Sequence, residues 1–483
     1  MLLLLGSSGR RWLASLADLV VRTHCPRQWK VAMVSPVLKP GKPAEDRGSY
    51  RPVSVTSVVA RTVERMVRAR LEVHAGAAMH ASQFGFSRGK STADAALLLA
   101  LGLDDASRQE CTFGGVQRQF RSVVASVDFT DAFCRVTLRA VARCYRAKGL
   151  PEAYLPFILS FLQDRRMVVR CGERVSPEEL LGVGVPQGSI LGPFLWALVL
   201  DPVLGEIEAA LGAAALGRVG YPAGLTRRGQ AKSGVPWWGV SAYADDVILW
   251  AFGFEVASLV GALNFALRPL ASFAAEEGIA LSTKSRGTLF VPREMPAAER
   301  EAVAALRLVC GPLSLGLDVL PQRFVGVWVD PSLTGIAHVD HAIQSAEAAL
   351  RKVAAIRRYL SPATCRSLVL GSVTPRLAYG LAVVGPWLGE TQWERLEAVQ
   401  SAAAYLVVSA VASASCEAVM READLLPIRV MARLEAVRCA AHLRFRGGRC
   451  AVRDRFVAQV VDTRRGKGKA DVGPRTWIPS LPP

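Results

Sequence analysis

The stretch Ala242-Tyr243-Ala244-Asp245-Asp246 runs directly into Val247-Ile248-Leu249-Trp250-Ala251-Phe252, an apolar segment of strand length. Two adjacent carboxylates therefore stand at a tight strand-to-strand turn, outside the core but against its edge. Crowding them there is costly unless a cation neutralises them. A solitary Asp-Asp pair is more often a solvated turn than a ligand set. The balance shifts with Asp128, which closes a second apolar, β-branched run from Ser122 to Val127.

Neighbouring strands in one sheet would bring Asp128, Asp245 and Asp246 together. Nucleotidyl transfer needs such a cluster. Two Mg²⁺ ions roughly 3.5 to 4 Å apart would bind the attacking 3′ hydroxyl, the α-phosphate and the leaving pyrophosphate, stabilising both ends of an in-line displacement. Carboxylate oxygens are the hard ligands that Mg²⁺ prefers.

Outward from these strands, Thr137 to Lys148 predicts a helix with Thr137 as N-cap, Gly149 beyond its end and Pro151 after that. Residues 12 to 30 predict an amphipathic helix through Trp12, Leu16, Leu19 and Val20, closed by Cys25-Pro26. An extended stretch follows from Val31 to Lys39, then a turn at Pro40-Gly41-Lys42-Pro43. Ser57 to Val73 predicts a basic helix carrying Arg61, Arg65, Arg68 and Arg70. Beyond about residue 335 the pattern is helical, with one helix opened by Ser361-Pro362 and another through Trp393, Leu396, Val399 and Gln400. Strands alternating with helices, then helices alone, predict a mixed α/β palm followed by a helical subdomain. The last residues, Arg464 to Pro483, are rich in Gly, Pro, Lys and Arg, which predicts a mobile tail.

A chain of 483 residues that is 51% hydrophobic can bury a substantial core. The net charge of +18 favours an extended polyanion such as nucleic acid, although charge alone leaves a membrane surface open. Ten cysteines lie scattered without CxxC pairs, as expected of reduced, mostly core thiols. The apolar run Leu2 to Leu5 is too short for a signal peptide or a membrane span, so neither secretion nor a membrane is expected.

The ordered motifs make the chain similar to the reverse transcriptases of non-LTR (LINE-type) retrotransposons, over about residues 12 to 450. They begin with Ser35-Pro36-Val37-Leu38-Lys39-Pro40-Gly41-Lys42-Pro43 and Ser49-Tyr50-Arg51-Pro52-Val53-Ser54. Ser82-Gln83-Phe84-Gly85-Phe86-Ser87-Arg88-Gly89-Lys90-Ser91-Thr92 follows. Val127-Asp128-Phe129-Thr130-Asp131-Ala132-Phe133 then resembles the first catalytic motif. Gly184-Val185-Pro186-Gln187-Gly188-Ser189-Ile190-Leu191-Gly192-Pro193 matches the next over its whole length. Glu277 to Lys284, Phe324-Val325-Gly326-Val327-Trp328 and Arg376 to Pro386 resemble a later palm motif, the primer-grip hairpin and the post-palm region.

The resemblance implies an α+β, right-hand polymerase of fingers, palm and thumb, with an antiparallel palm sheet and a helical thumb. It divides the chain into fingers and palm at 1–334, thumb and post-palm at 335–450, and a basic tail at 451–483. It implies an RNA-directed DNA polymerase that extends a DNA 3′ end on an RNA template with dNTPs, using two Mg²⁺ ions for which Mn²⁺ could substitute. Asp128, Asp245 and Asp246 would ligate the metals, and Lys284 would protonate departing pyrophosphate. Phe133 would clash with a 2′ hydroxyl, Gln187 and Gly188 would contact nucleotide and template, and Lys39 and Arg51 would meet the triphosphate. For Lys39 and Arg51, general attraction of nucleic acid is the alternative duty.

Full-length relatives commonly carry an endonuclease, and some an RNase H domain or a Cys-His knuckle. Neither end here is long enough to hold them, so any nicking activity is expected from elsewhere. Cys439, His442 and Cys450 offer three metal-ligand types, yet Ala440 and Ala441 place them in an apolar helical run, which argues against zinc. Nuclear action is implied by the resemblance; the basic segment Arg464 to Lys469 could act as an import signal but reads more readily as a mobile tail. Group II intron and telomerase-type polymerases share the palm, but the Lys-Pro-Gly-Lys-Pro run and Gln83 to Thr92 look more like non-LTR elements. The competing function is a truncated, catalytically decayed product that only binds nucleic acid. That function would not require Asp128, Asp245, Asp246, Gln187 and Lys284 in register.

Overall fold

A computed structural model describes residues 5–445, except positions 40, 77, 108–109, 114–115, 218–237, 292–294 and 296. Its centre is a sheet that is antiparallel except at one edge, where Arg286–Phe290 pairs in parallel with Leu317–Asp318. The strand Arg121–Thr130 pairs on one side with Asp246–Gly253, which in turn pairs with Trp238–Tyr243, and on the other with Arg286–Phe290. The Asp128 strand is longer than the sequence pattern predicts, running two residues past Asp128, because Ala280–Leu281 pairs with Phe129 and Thr130. That extension seats the carboxylate within the sheet rather than at its frayed end.

Side-chain alternation sends consecutive residues of these strands to opposite faces, and both faces are buried. Val123, Ala125 and Val127 join Val247, Leu249 and Ala251 on one face. It is covered by Gly192–Gly217 and Val256–Glu276. Val124, Ile248, Trp250 and Phe252 form the other face, under Thr92–Ser107 and the helices beyond residue 335. Full burial of each such aliphatic or aromatic side chain contributes about 1.5–3 kcal/mol. Trp250 stands directly opposite Gly239, where an added Cβ would lie 2.3 Å from the indole. Only glycine lets that ring lie flat on the neighbouring strand.

The helical part therefore shares one continuous core with the second sheet face. Its principal helices are Ile336–Ile356, Pro362–Ser372 and Glu390–Val408, and Ser361 caps the second by accepting from the Thr364 amide at 3.2 Å. His338, buried, joins it to the hairpin Gln322–Phe324 and Val327–Val329. Its Nδ1 accepts from the Trp328 amide at 3.2 Å and its Nε2 meets the Tyr379 carbonyl at 2.7 Å. Val256–Glu276 and the 362–387 region are long and apolar enough to cross a membrane by length and composition. The first buries Leu259, Leu263, Leu267 and Leu270 against the sheet, and the second is broken into short helices at Val373 and Tyr379.

A second sheet flanks the first. Val31–Leu38 runs antiparallel to Tyr50–Val55 and parallel to Arg165–Cys171. The basic helix forms as Val58–Ala75, capped by Ser57. The helix predicted over 12–30 instead spans Ser7–Arg22, with a separate single turn at Arg27–Trp29. Ala17 and Val20 are its buried residues, whereas Trp12 and Leu19 are 64% and 59% exposed, so the apolar face is narrower than the pattern predicts. The cysteines whose side chains are described are free thiols. Cys25, Cys144, Cys310 and Cys365 are buried, while Cys134, Cys171 and Cys416 are exposed rather than part of the core. Pro40, His442, Cys450 and the tail beyond 450 lie outside the residues or side chains described.

Candidate active site

Strand register brings the three carboxylates to one place. Asp246 is paired across the sheet with Asp128, and Ala244-Asp245 forms the turn between Tyr243 and Asp246. Ala244 has φ 59°, a left-handed conformation that costs energy for any residue with a Cβ. The turn is held from both sides. Trp196, fully buried on the Gly192–Gly217 helix, donates its indole N–H to the Ala244 carbonyl at 2.7 Å. Along the sheet edge, the Phe84 amide donates to the Ala242 carbonyl at 2.8 Å and the Ala242 amide to the Ser82 carbonyl at 3.0 Å. Gly85 then passes so close that an added Cβ would lie 2.2 Å from the Ala244 nitrogen.

Burial is the chief reason that Asp246 is pushed up to about 7, with the charges of Asp245 and Asp128 adding to it and those of Lys284 and Arg323 opposing. Asp245 is raised for the same first cause, and Asp128 adds to it while Lys284 and Arg51 oppose. Among the described residues no three His, Cys, Asp or Glu side chains close into a preformed metal cage. Asp245 and Asp128 nonetheless raise Asp246, and Asp128 raises Asp245, a crowding that a divalent cation would relieve. Asp128, Asp245 and Asp246 are thus the residues that could hold one. The donor set, all carboxylate oxygen, fits Mg²⁺.

Lys284 is exposed on the loop after Ala280–Leu281, and that loop is tied to Asp128 through both backbone groups. The Ser282 amide donates to the Asp128 carbonyl at 2.8 Å, and the Asp128 amide donates to Ser285 Oγ at 3.1 Å. Arg51, exposed on Tyr50–Val55, acts on Asp245 through its field. Lys39 is turned elsewhere, its Nζ donating to the Gly48 carbonyl at 2.8 Å.

Phe133 follows Asp131, itself at φ 52°, and is half-buried between the rings of Phe86 and Trp196, both 6.1 Å away. Its carbonyl accepts from the Val185 amide at 2.7 Å, which moors the loop that carries Gln187. Gly184, at φ 101°, passes 2.5 Å from the Cys134 carbonyl by its would-be Cβ. Gly188, at φ 132°, passes similarly 2.3 Å from the Ser54 carbonyl, and the Ser54 amide donates to the Gln187 carbonyl at 2.7 Å. A side chain at Gly184 would push the loop off the Ala132–Arg135 turn, and one at Gly188 would push it off the Tyr50–Val55 strand. Gln187 Oε1 is buried with no hydrogen-bond partner among the described residues.

The sequence reading missed Glu64. Fully buried, it accepts the Ile190 and Leu191 amides at 2.8 and 3.1 Å, so it caps the start of the Gly192–Gly217 helix and fixes the loop before it. Burial raises its carboxyl above the ordinary range. The available signal was a lone acid on the apolar stripe Ala60, Val63, Val67, Leu71 of an otherwise basic helix. Phe86 and Trp196 were legible only as apolar residues.

An antiparallel sheet that presents three acidic groups beside a glycine-bounded loop defines a palm-type nucleotide polymerase. The family model for reverse transcriptase (RNA-dependent DNA polymerase) matches residues 37–295, more than half of the chain, and the chain belongs to that family. It is 31% identical over 192 residues to the probable RNA-directed DNA polymerase from transposon BS of Drosophila melanogaster, which covers 39% of this chain and 20% of that protein. It is 26% identical over 280 residues to a Pol polyprotein from the type-1 retrotransposable element R2 of Popillia japonica, covering 57% and 35%. A putative 115 kDa protein in the element R1DM of Drosophila melanogaster is 25% identical over 378 residues, covering 77% and 32%. The chain thus spans about a fifth to a third of these relatives' length. A solved apo telomerase from Candida tropicalis, truncated from its C-terminal domain, aligns at 10% identity over 67% of this chain and 59% of that one, with a TM-score of 0.38, and adds nothing to the assignment.

Proposed function

We propose that this chain extends a DNA 3′ end along an RNA template, as the polymerase portion of a non-LTR retrotransposon. The observation that carries the reading is the register that sets Asp246 opposite Asp128, with Asp245 on the adjoining turn. In this reading the three carboxylates hold two Mg²⁺ ions, or Mn²⁺ in their stead. Bound there, the metal supplies Lewis-acid stabilisation of charge that develops during the displacement.

The chain's own residues do the rest. Lys284, exposed on the loop that is tied to the Asp128 backbone, would deliver a proton to departing pyrophosphate. Arg51 offers fixed positive charge to the triphosphate, and Lys39 joins it on releasing the Gly48 carbonyl. Gln187 and Gly188 border the nucleotide and template. Phe133 sets its ring against the incoming sugar, so that a 2′ hydroxyl clashes and dNTPs are preferred. The charge of +18 suits RNA template and DNA primer as partners. Nicking of the target by a separate activity, and nuclear action, belong to the same proposal and rest on the resemblance to non-LTR elements.

The test is primer extension by the purified chain on an RNA template with a DNA primer, dNTPs and Mg²⁺, beside Asp245→Ala. The parent should extend, and the variant should lose most activity while still binding RNA. Near-normal turnover by the variant would refute the carboxylate assignment. A folded parent that binds template and primer but incorporates nothing would make the chain a nucleic-acid-binding fragment.

A further inference from the structure

We infer that Phe86 is a second determinant of sugar selectivity: it forms the outer wall that holds Phe133 in its gating position. The inference rests on the polymerase reading above. Phe86 meets Phe133 edge to face, with centroids 6.1 Å apart and planes at 76°. Phe133 also meets Trp196, at 6.1 Å and tilted by 42°. Trp196 is immobile. Its indole N–H is committed to the Ala244 carbonyl, and Phe129 and Phe273 back it at 5.4 and 6.4 Å. With Trp196 held on one flank, Phe86 is a second aromatic wall against which Phe133 rests.

Three observations distinguish Phe86 from a residue that merely fills the core. It is half-buried, unlike Phe84 two positions earlier, which is fully buried. Its backbone lies at φ 59°, a conformation that a bulky L residue adopts only when its surroundings impose it. Those surroundings are the active site itself. Gly85 is pressed against the Ala244 nitrogen, and the Phe86 carbonyl accepts from Arg68 Nη2 at 3.3 Å. Arg68 Nη1 reaches the Ile190 carbonyl at 3.4 Å, beyond Gln187 on the same loop. The strained residue is thus tied to the carboxylate turn, to the loop and to the gate. A displacement of Phe86 should be felt as a change in which sugar fits.

The experiment compares kcat/KM for a dNTP and the matching rNTP on one primer-template, for the parent, Phe86→Gly, Phe86→Leu, Phe133→Ala and the Phe86→Gly/Phe133→Ala pair. Glycine accepts the left-handed backbone, so Phe86→Gly removes the ring without adding strain. Loss of an edge-to-face aromatic contact predicts a fall of about 2- to 10-fold in dNTP-over-rNTP preference. The pair should be no less selective than Phe133→Ala alone, because both changes disable one gate. Phe86→Leu, which keeps an apolar side chain but not the flat ring, should fall in between and decides the case if glycine loosens the chain. Equal losses for both sugars, or full additivity in the pair, would overturn the inference while leaving the polymerase reading intact. An unchanged preference in Phe133→Ala would remove the gate and the inference with it. A parent that does not extend a primer at all overturns the polymerase reading first.

Discussion

Gly85→Ala adds one methyl group where the sheet edge meets the carboxylate turn. The new Cβ would start 2.2 Å from the Ala244 nitrogen, and ordinary contact begins at 3.4 Å, so the two backbones must part by about 1.2 Å. Relief by the 82–86 segment would stretch the bonds that tie Phe84 and Ser82 to Ala242. Relief by the turn would carry Asp245 and Asp246 with it. Trp196 resists the second route by its 2.7 Å bond to Ala244, so both will yield in part. Misplacement of reacting groups by about 1 Å can cost on the order of 100-fold in rate. The core is otherwise untouched, and overpacking costs about 1–3 kcal/mol. The assay is single-turnover extension of a DNA primer on RNA at saturating dNTP, with melting temperature and template-primer affinity measured alongside. Gly205→Ala is the control, because a Cβ there meets nothing within 4 Å. The expectation is a rate reduced by roughly two orders of magnitude in Gly85→Ala, with binding retained. A near-parent rate would show that the Ala244–Asp246 turn is not held where the chemistry occurs.

Asp246, pushed up to about 7, must shed its proton before it can bind a cation. The Mg²⁺ concentration for half-maximal extension should therefore rise about tenfold per pH unit below 7 and level off above it; a flat profile would refute competition between a proton and the metal at Asp246. The sign for stability is opposite. This carboxyl's folded value lies above its ordinary 3.8, so the metal-free fold should lose stability as pH rises from about 4 to 7, and Mg²⁺ should restore it in thermal unfolding. Glu64→Ala should destabilise by about 3 kcal/mol, through a cavity and two uncapped amides, whereas Glu64→Gln keeps an acceptor oxygen and should recover most of that in urea unfolding. Template-primer affinity should fall steeply with salt, and a shallow slope would sink the basic-groove picture.

Features set by residues a few positions apart could be read before any folding. Ser57, Thr137 and Ser361 cap helices because an N-cap hydroxyl reaches an amide only three residues on, and the structure shows each bond. The apolar runs ending at Asp128 and starting after Asp246 announced their strands, because a sheet buried on both faces needs continuous hydrophobicity. The ordered motifs carried the family and the carboxylates for the same reason: they are contiguous in the chain.

What the sequence alone could not determine is everything fixed by approach across the fold. No local pattern states that Asp246 pairs with Asp128, 118 positions apart, or that Glu64 caps a loop 126 residues away. Nor does any pattern seat Phe86 against Phe133, or turn Lys39 to Gly48. The helices beyond residue 335 were legible one by one. Their burial against the second face of the sheet was not, because an apolar stripe specifies that a face will be covered and leaves its partner to the packing of the whole chain.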